Sequence, residues 1–235
     1  MAVTEQQVQE ALKNLIDPNT RKDYISTKSA RNIKLDGDKV SVEILLGYPG
    51  KTQVEPIREE VTKALKAIPG VGSVNVSVQM KIVSHAVQRG VKLVPNIKNI
   101  IAVASGKGGV GKSTVAVNLA LGLAAEGATV AVLDADIYGP SQPTMLGIRG
   151  RPESRDGKSL QPMEGHGLQA MSIGFLIDVE TPMVWRGPMV TQALEQLLNE
   201  TQWREVDYLV VDLPPGTGDI QLTLAQRVPV TGAVI

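Results

Sequence analysis

The stretch SGKGGVGKST, residues 105–114, constrains this chain more than any other part of it. Gly106, Gly111, Lys112 and Ser113 satisfy the pattern G-x-x-x-x-G-K-[ST]. An apolar run, IIAVA, leads into it from Ile100, and a long apolar segment over residues 113–125 follows it. Buried strand, glycine loop, then helix is the order in which glycines can turn backbone amides around phosphate oxygens. The helix amino end adds a favourable dipole. A strand apolar on both faces also needs helices on both sides, which points to an α/β domain with a mainly parallel sheet. The runs TVAVLDAD, DYLVVDLP and VPVTGAVI read as a second, third and fourth such strand. The first three strands end in polar or glycine-rich residues, where open α/β sheets bind ligands. Residues 149–167, rich in Gly, Pro and charge, read as an exposed excursion. A doubly wound domain is expected to continue past Ile235 with a helix covering the fourth strand.

The ligand this loop predicts is a nucleoside triphosphate with Mg²⁺. Lys112, read as an exposed loop lysine, would neutralise the β and γ phosphates, and the Ser113 hydroxyl would ligate Mg²⁺. Asp212 closes the strand YLVVD, where a second carboxylate can hold the metal's water shell. The PPGTGD that follows would let the Gly216 amide approach a γ phosphate. Asp134 and Asp136 end VAVLDAD, and a carboxylate there can orient or deprotonate the attacking water. Asp219 reads instead as a helix-capping acid. Lys107 departs from an ordinary phosphate loop, being a second cation aimed at phosphate from another direction.

Before residue 85 the pattern is different. Thr4 and Gln7 are spaced as a capping box ahead of Val8, Leu12, Leu15 and Ile16 on one helical face, and Asp17-Pro18 stops that helix. Alternating apolar residues on either side of Asp36-Gly37 predict a hairpin. Val54, Ile57, Val61, Leu65 and Ile68 predict a second helix, and Val74 to Ile82 alternate as a half-buried strand. Residues 1–84 are therefore expected to form a small α+β domain without visible catalytic groups. Residues 85–98 read as a linker and 99–235 as the phosphate-loop domain, incomplete at its carboxyl end.

Composition narrows the function. Lys plus Arg and Asp plus Glu both total 24, so no global field draws the chain to nucleic acid or anionic lipid. The start lacks a signal-peptide pattern and no stretch is apolar enough to span a membrane, so the expectation is a cytoplasmic protein bound to neither. Without cysteine there are no disulfides or thiolate ligands, and His85 and His166 are too far apart for a local metal motif. With only 3% aromatic residues, the cores must rest on Val, Ile, Leu and Ala.

SGKGGVGKST resembles the deviant loop of the SIMIBI dimeric ATPases, in which the extra lysine reaches the nucleotide bound by the partner subunit. Together with DADIYGPSQPTMLG, WRGPMV and DYLVVDLPPGTGD, it looks like the Mrp/ApbC group of iron-sulfur cluster carrier ATPases. The first 80 residues resemble the small iron-sulfur assembly domain often fused in front of them. The resemblance implies a homodimeric ATPase whose hydrolysis cycle gates loading of a 4Fe-4S cluster onto client apoproteins, alongside assembly factors. It implies Gly106, Gly108, Gly109, Val110, Gly111, Lys112, Ser113 and Thr114 as the nucleotide loop and Lys107 as the dimer lysine. Asp136 would position water and Asp212 would serve Mg²⁺. Preference for ATP over GTP is likewise an implication of resemblance. Two departures stand out. The family's cluster-binding C-x-x-C is expected after the point where this chain ends, and GYPGKTQ stands where many relatives of the small domain carry a cysteine. The competing readings are a DNA- or membrane-positioning ATPase of the same loop class, and a nucleotide-binding fragment without turnover.

Overall fold

A computed structural model describes residues 3–85, 87, 93–154, 156–176, 187–216 and 228–235, the backbone alone at 187–191. The chain divides into two compact units, Met1–Val83 and Ser84–Ile235.

In the first unit, α1 (Glu5–Lys13) starts from a reciprocal cap: the Gln7 amide donates to Thr4 Oγ1 and the Thr4 amide to Gln7 Oε1. Its apolar face buries Val8 and Leu12. The Asp17 carboxylate then accepts the Asn19 and Thr20 amides at 2.8 and 3.2 Å and the Tyr48 hydroxyl at 2.8 Å, which closes the turn after the helix. Strands β1 (Ala30–Asp36) and β2 (Lys39–Leu46) pair antiparallel around Gly37, whose φ of 62° suits glycine. From β2 the chain crosses through α2 (Val54–Lys66) to β3 (Ser73–Met80), which pairs parallel with β2. Val40, Val42, Ile44 and Leu46 of the central strand meet Ile57, Val61 and Leu65 of α2 in one apolar core. Every second residue of β2 is inward, so the period of two read in the sequence is the period of burial.

The second unit holds β4 (Ile97–Val103), α3 (Lys112–Ala125), β5 (Val130–Asp134), α4 (Gln142–Met145), β6 (Met163–Gly165), β7 (Leu168–Ser172), α5 (Gly187–Glu200), β8 (Val206–Asp212) and β9 (Gly232–Val234). The sheet order is β6-β7-β5-β8-β4-β9, parallel throughout except for the β6–β7 edge pair. All residues of β5, β7 and β8 are buried, as sheets covered on both faces require. Three expectations need correction. The excursion at 149–167 contains β6 and leads straight into β7, a strand that apolar runs did not reveal because Gln169 and Ser172 interrupt it. The apolar run VPVTGAVI yields only three residues of strand, exposed at the sheet edge. β4 also begins at Ile97, inside the stretch read as linker. Among the described residues no helix is long and apolar enough to cross a membrane.

Candidate functional site

Because β8 is inserted between β4 and β5, the end of each central strand lies beside the next. Asp212 is in register with Val103 on one side and Asp134 on the other. The chain leaving these strands is stitched together by main-chain bonds: Leu213 N–H to the Val103 carbonyl at 3.0 Å, Ala135 N–H to Asp212 at 2.9 Å and Gly216 N–H to Ser105 at 2.9 Å. Three loops therefore meet at the carboxyl edge of the sheet. They frame a cleft of about 300 Å³ lined by Ser105, Lys107, Gly108, Gly109, Gly111 to Thr114, Asp136, Gly139, Ser141, Met145 and Pro215.

The glycine loop leaves that cleft open. Gly109 and Gly111 have φ values of 76° and 91°, a left-handed conformation that a side chain would strain. A Cβ added to Gly106, Gly109 or Gly111 would meet no protein atom within 4 Å, so the cleft has room beside the backbone. No side chain among the described residues caps α3, whose first-turn amides at Lys112, Ser113 and Thr114 remain suited to an anion.

Lys112 is not the exposed loop lysine that the sequence predicts. It is 9% exposed; its ammonium pairs with Asp212, lies 3.8 Å from Asp136 and donates to Ser113 Oγ at 3.2 Å. The cause is topological: the helix start that carries Lys112 faces the end of β8, where Asp212 is wholly buried and needs a cation. Asp136 is half-buried, and burial, reinforced by the Asp212 charge, raises its carboxyl above the ordinary value in spite of Lys112.

Asp134 lies deeper, as the floor of the site. Its carboxylate accepts from the Asp136, Ser141 and Gln142 amides and the Ser172 hydroxyl at 3.0 to 3.2 Å. Burial pushes it up to about 6, with Asp212 adding to the shift. Gln142 links this floor to the lysine: its Nε2 donates to Asp212 Oδ2 at 2.9 Å and to the Ser113 carbonyl at 3.2 Å. Gln142 Oε1 and Ser141 Oγ are buried without a hydrogen-bond partner among the described residues. Gln142, Ser141 and Ser172 were not singled out in the sequence, since a lone Gln or Ser carries no motif. Only the position of SQP shortly after two acidic strand-end residues could have drawn attention to them.

The remaining candidates fall as follows. Lys107 is exposed on the cleft, its carbonyl held by Ser105 Oγ at 3.0 Å. Val110 is 58% exposed and does not line the cleft, whereas Thr114 does. Gly216 commits its N–H to Ser105, so Pro215 rather than Gly216 faces the cleft. Asp219 and, of the WRGPMV stretch, Trp185 and Arg186 lie outside the described residues. His85 and His166 are exposed.

This donor set suits phosphate and a hard cation. Backbone amides, the Lys107 and Lys112 side chains and the Ser113 hydroxyl line the open glycine loop, and the buried Asp212 carboxylate backs Lys112; oxygen ligands of this kind are how Mg²⁺ is held when substrate phosphates complete its shell. No thiolate or imidazole lines the cleft, so it is no cradle for an iron-sulfur cluster.

The profile of the NUBPL iron-transfer P-loop NTPases matches residues 96–235, and that of iron-sulfur cluster assembly proteins matches residues 5–78. An iron-sulfur cluster carrier protein of Haemophilus influenzae is 47% identical over 97% of this chain and 62% of its own length. One from Pseudomonas fragi is 59% identical over 73% of this chain and 61% of its own. A solved nucleotide-binding protein in complex with ADP from Archaeoglobus fulgidus is 42% identical, with a TM-score of 0.48 over 56% of this chain and 50% of that one. The chain thus spans about 62% of the length of the first of these carriers.

Proposed function

The chain belongs to the NUBPL iron-transfer P-loop NTPase family, and from that premise we propose that it binds Mg²⁺·ATP in the cleft beside Lys112 and hydrolyses it to drive delivery of iron-sulfur clusters. The observation that carries this reading is the convergence of Lys112, Ser113, Asp136 and Asp212 at the end of the sheet, around a glycine loop with space beside it.

In this reading the loop amides and Lys112 hold the β and γ phosphates, and the ammonium shares its charge between phosphate and Asp212. Ser113 and Asp212 are the residues that would hold Mg²⁺, which when bound would supply charge neutralisation at the phosphates. Asp136 faces the cleft from the β5 side and orients a water for in-line attack on the γ phosphorus. The bond to the β,γ-bridging oxygen breaks, ADP leaves, and the water's proton passes to Asp136, whose raised carboxyl makes it a better base than an ordinary aspartate. Lys107, exposed on the same cleft, reaches the nucleotide of a second copy in a homodimer. If the nucleotide-loaded protein sediments as a monomer, that role fails.

The cluster is cargo. The chain has no cysteine, so its ligands in the whole protein belong to the part of the relatives' length that this chain does not span. The first unit, matched by the assembly-protein profile, is the candidate surface for client apoproteins or assembly factors, and the cytoplasm is the proposed compartment.

The test is calorimetry with a non-hydrolysable ATP analogue, followed by turnover in a complete chain. A charge-assisted bond to phosphate is worth about 1.5–3 kcal/mol, so Lys112→Ala should weaken binding about ten- to a hundredfold. Because Lys112 is buried against two carboxylates, the variant should also melt earlier, and its folded fraction must be measured alongside. Asp136→Asn should change affinity little and slow turnover about a hundredfold or more. Unaltered affinity in folded Lys112→Ala would remove the site assignment.

A further inference from the structure

Gln142 is 1% exposed, and every polar group it has, save one, is hydrogen-bonded. Its main-chain N–H donates to Asp134 at 3.1 Å and its carbonyl accepts from Leu146 N–H at 2.9 Å. Its side-chain Nε2 donates both to Asp212 Oδ2 and to the Ser113 carbonyl. Chemistry fixes which way the amide points. Turned over, Oε1 would face a carboxylate and a carbonyl, two acceptors with no proton between them. The remaining atom, Oε1, is therefore a buried acceptor without a donor among the described residues.

Charge decides what kind of donor belongs there. Asp134, Asp136 and Asp212 surround the site, while Lys112 is the one ammonium paired with Asp136 and Asp212 among the described residues. A further carboxylate would add repulsion. A neutral amide oxygen can instead take a strongly polarised proton without adding charge, and water bound to a divalent cation is such a donor. Asp212 Oδ1 is engaged by Lys112 and Oδ2 by Gln142, so the amide is one of the two groups that hold this carboxylate in place.

We propose that Gln142 is a positioning residue for the magnesium half of the site: Nε2 holds Asp212 against the start of α3, and Oε1 accepts a hydrogen bond from a metal-bound water. This rests on the Mg²⁺·ATP reading above and deepens it. The loop that begins at Asp134 is thereby joined to the metal acid through one side chain, so the arrangement of the loop and the affinity for metal are coupled.

Gln142→Met keeps the length of the side chain and removes both hydrogen-bonding functions. Affinity for a non-hydrolysable ATP analogue, measured by calorimetry in EDTA, should stay within about twofold of the unmodified chain. The enhancement of that affinity by Mg²⁺ should fall about tenfold, the lower end of what loss of an outer-shell partner costs. An unchanged enhancement would overturn the proposal, and so would an equal loss with and without metal, which marks a merely structural residue. Should the variant not fold, the unmodified protein answers the question: the Gln142 side-chain amide resonances in the analogue complex should shift on adding Mg²⁺, and stationary resonances would overturn it. If the unmodified chain binds the analogue equally with Mg²⁺ and EDTA, the Mg²⁺ reading itself fails. Failure confined to Gln142→Met or to its resonances removes only this role.

Discussion

At Asp134 three main-chain amides and the Ser172 hydroxyl converge on one buried carboxylate with no ion pair to it among the described residues. The hydrogen bonds favour the charged form, but burial and Asp212 outweigh them and raise the group from 3.8 to about 6. The consequence has a definite sign. Between these values the native chain holds a proton that the unfolded chain has released, so stability from this group is full at low pH and is lost as pH rises through about 6. The shift corresponds to about 3 kcal/mol. Urea titrations of the unmodified chain and Asp134→Asn from pH 4 to 7.5 should therefore show the variant gaining relative to the parent by that order as pH rises. A difference that stays flat with pH would mean that Asp134 is not perturbed. Little of this was legible beforehand. VAVLDAD announced two strand-end acids, and the family resemblance implied Asp136 as the one to act on water, but the separation of a floor acid from a cleft acid comes from tertiary burial. Lys112 is the same case in reverse: its identity was plain from the motif, while its burial depended on which strand lies opposite the start of α3.

Elements with one clear period or one clear cap were readable, and those stabilised by polar groups from elsewhere were not. Thr4 and Gln7 announced α1, and the alternation of Val40 to Leu46 announced β2, because local sequence and burial agree there. β7 escaped because LQAMS is short and carries a glutamine, yet all five residues are buried. Gln169 is tolerated since its amide copies a backbone pairing: Nε2 donates to the Arg204 carbonyl at 2.9 Å and Oε1 accepts from the Arg204 N–H at 3.0 Å. Removing it leaves two partly buried main-chain groups unpaired. Gln169→Ala should thus cost about 1–3 kcal/mol in chemical denaturation. Gln161→Ala, which breaks an exposed bond to Gln202, should cost no more than about 0.5 kcal/mol. Equal effects would show that β7 does not depend on this side-chain pairing.

For the molecule as a whole, strings scattered from residue 105 to residue 219 identified the family better than any single element did, since a phosphate loop alone serves many chemistries. What the strings could not supply is cargo. Both profiles that match this chain belong to proteins of iron or iron-sulfur chemistry, yet its 235 residues contain no cysteine and two histidines, both exposed. Clusters are held chiefly by thiolates, with histidine a minor substitute, and two thiolates from one chain would still leave a four-iron cluster half ligated. Nucleotide handling and cluster retention should therefore separate experimentally. After anaerobic reconstitution and desalting, residues 1–235 should bind the ATP analogue and keep no stoichiometric iron or sulfide. A longer chain carrying cysteines beyond Ile235 should recover both, with two cysteines from each of two subunits completing the ligand set. Retained iron and sulfide with the matching visible absorbance in residues 1–235 would refute this division and place the ligands among oxygen and nitrogen donors of the present chain.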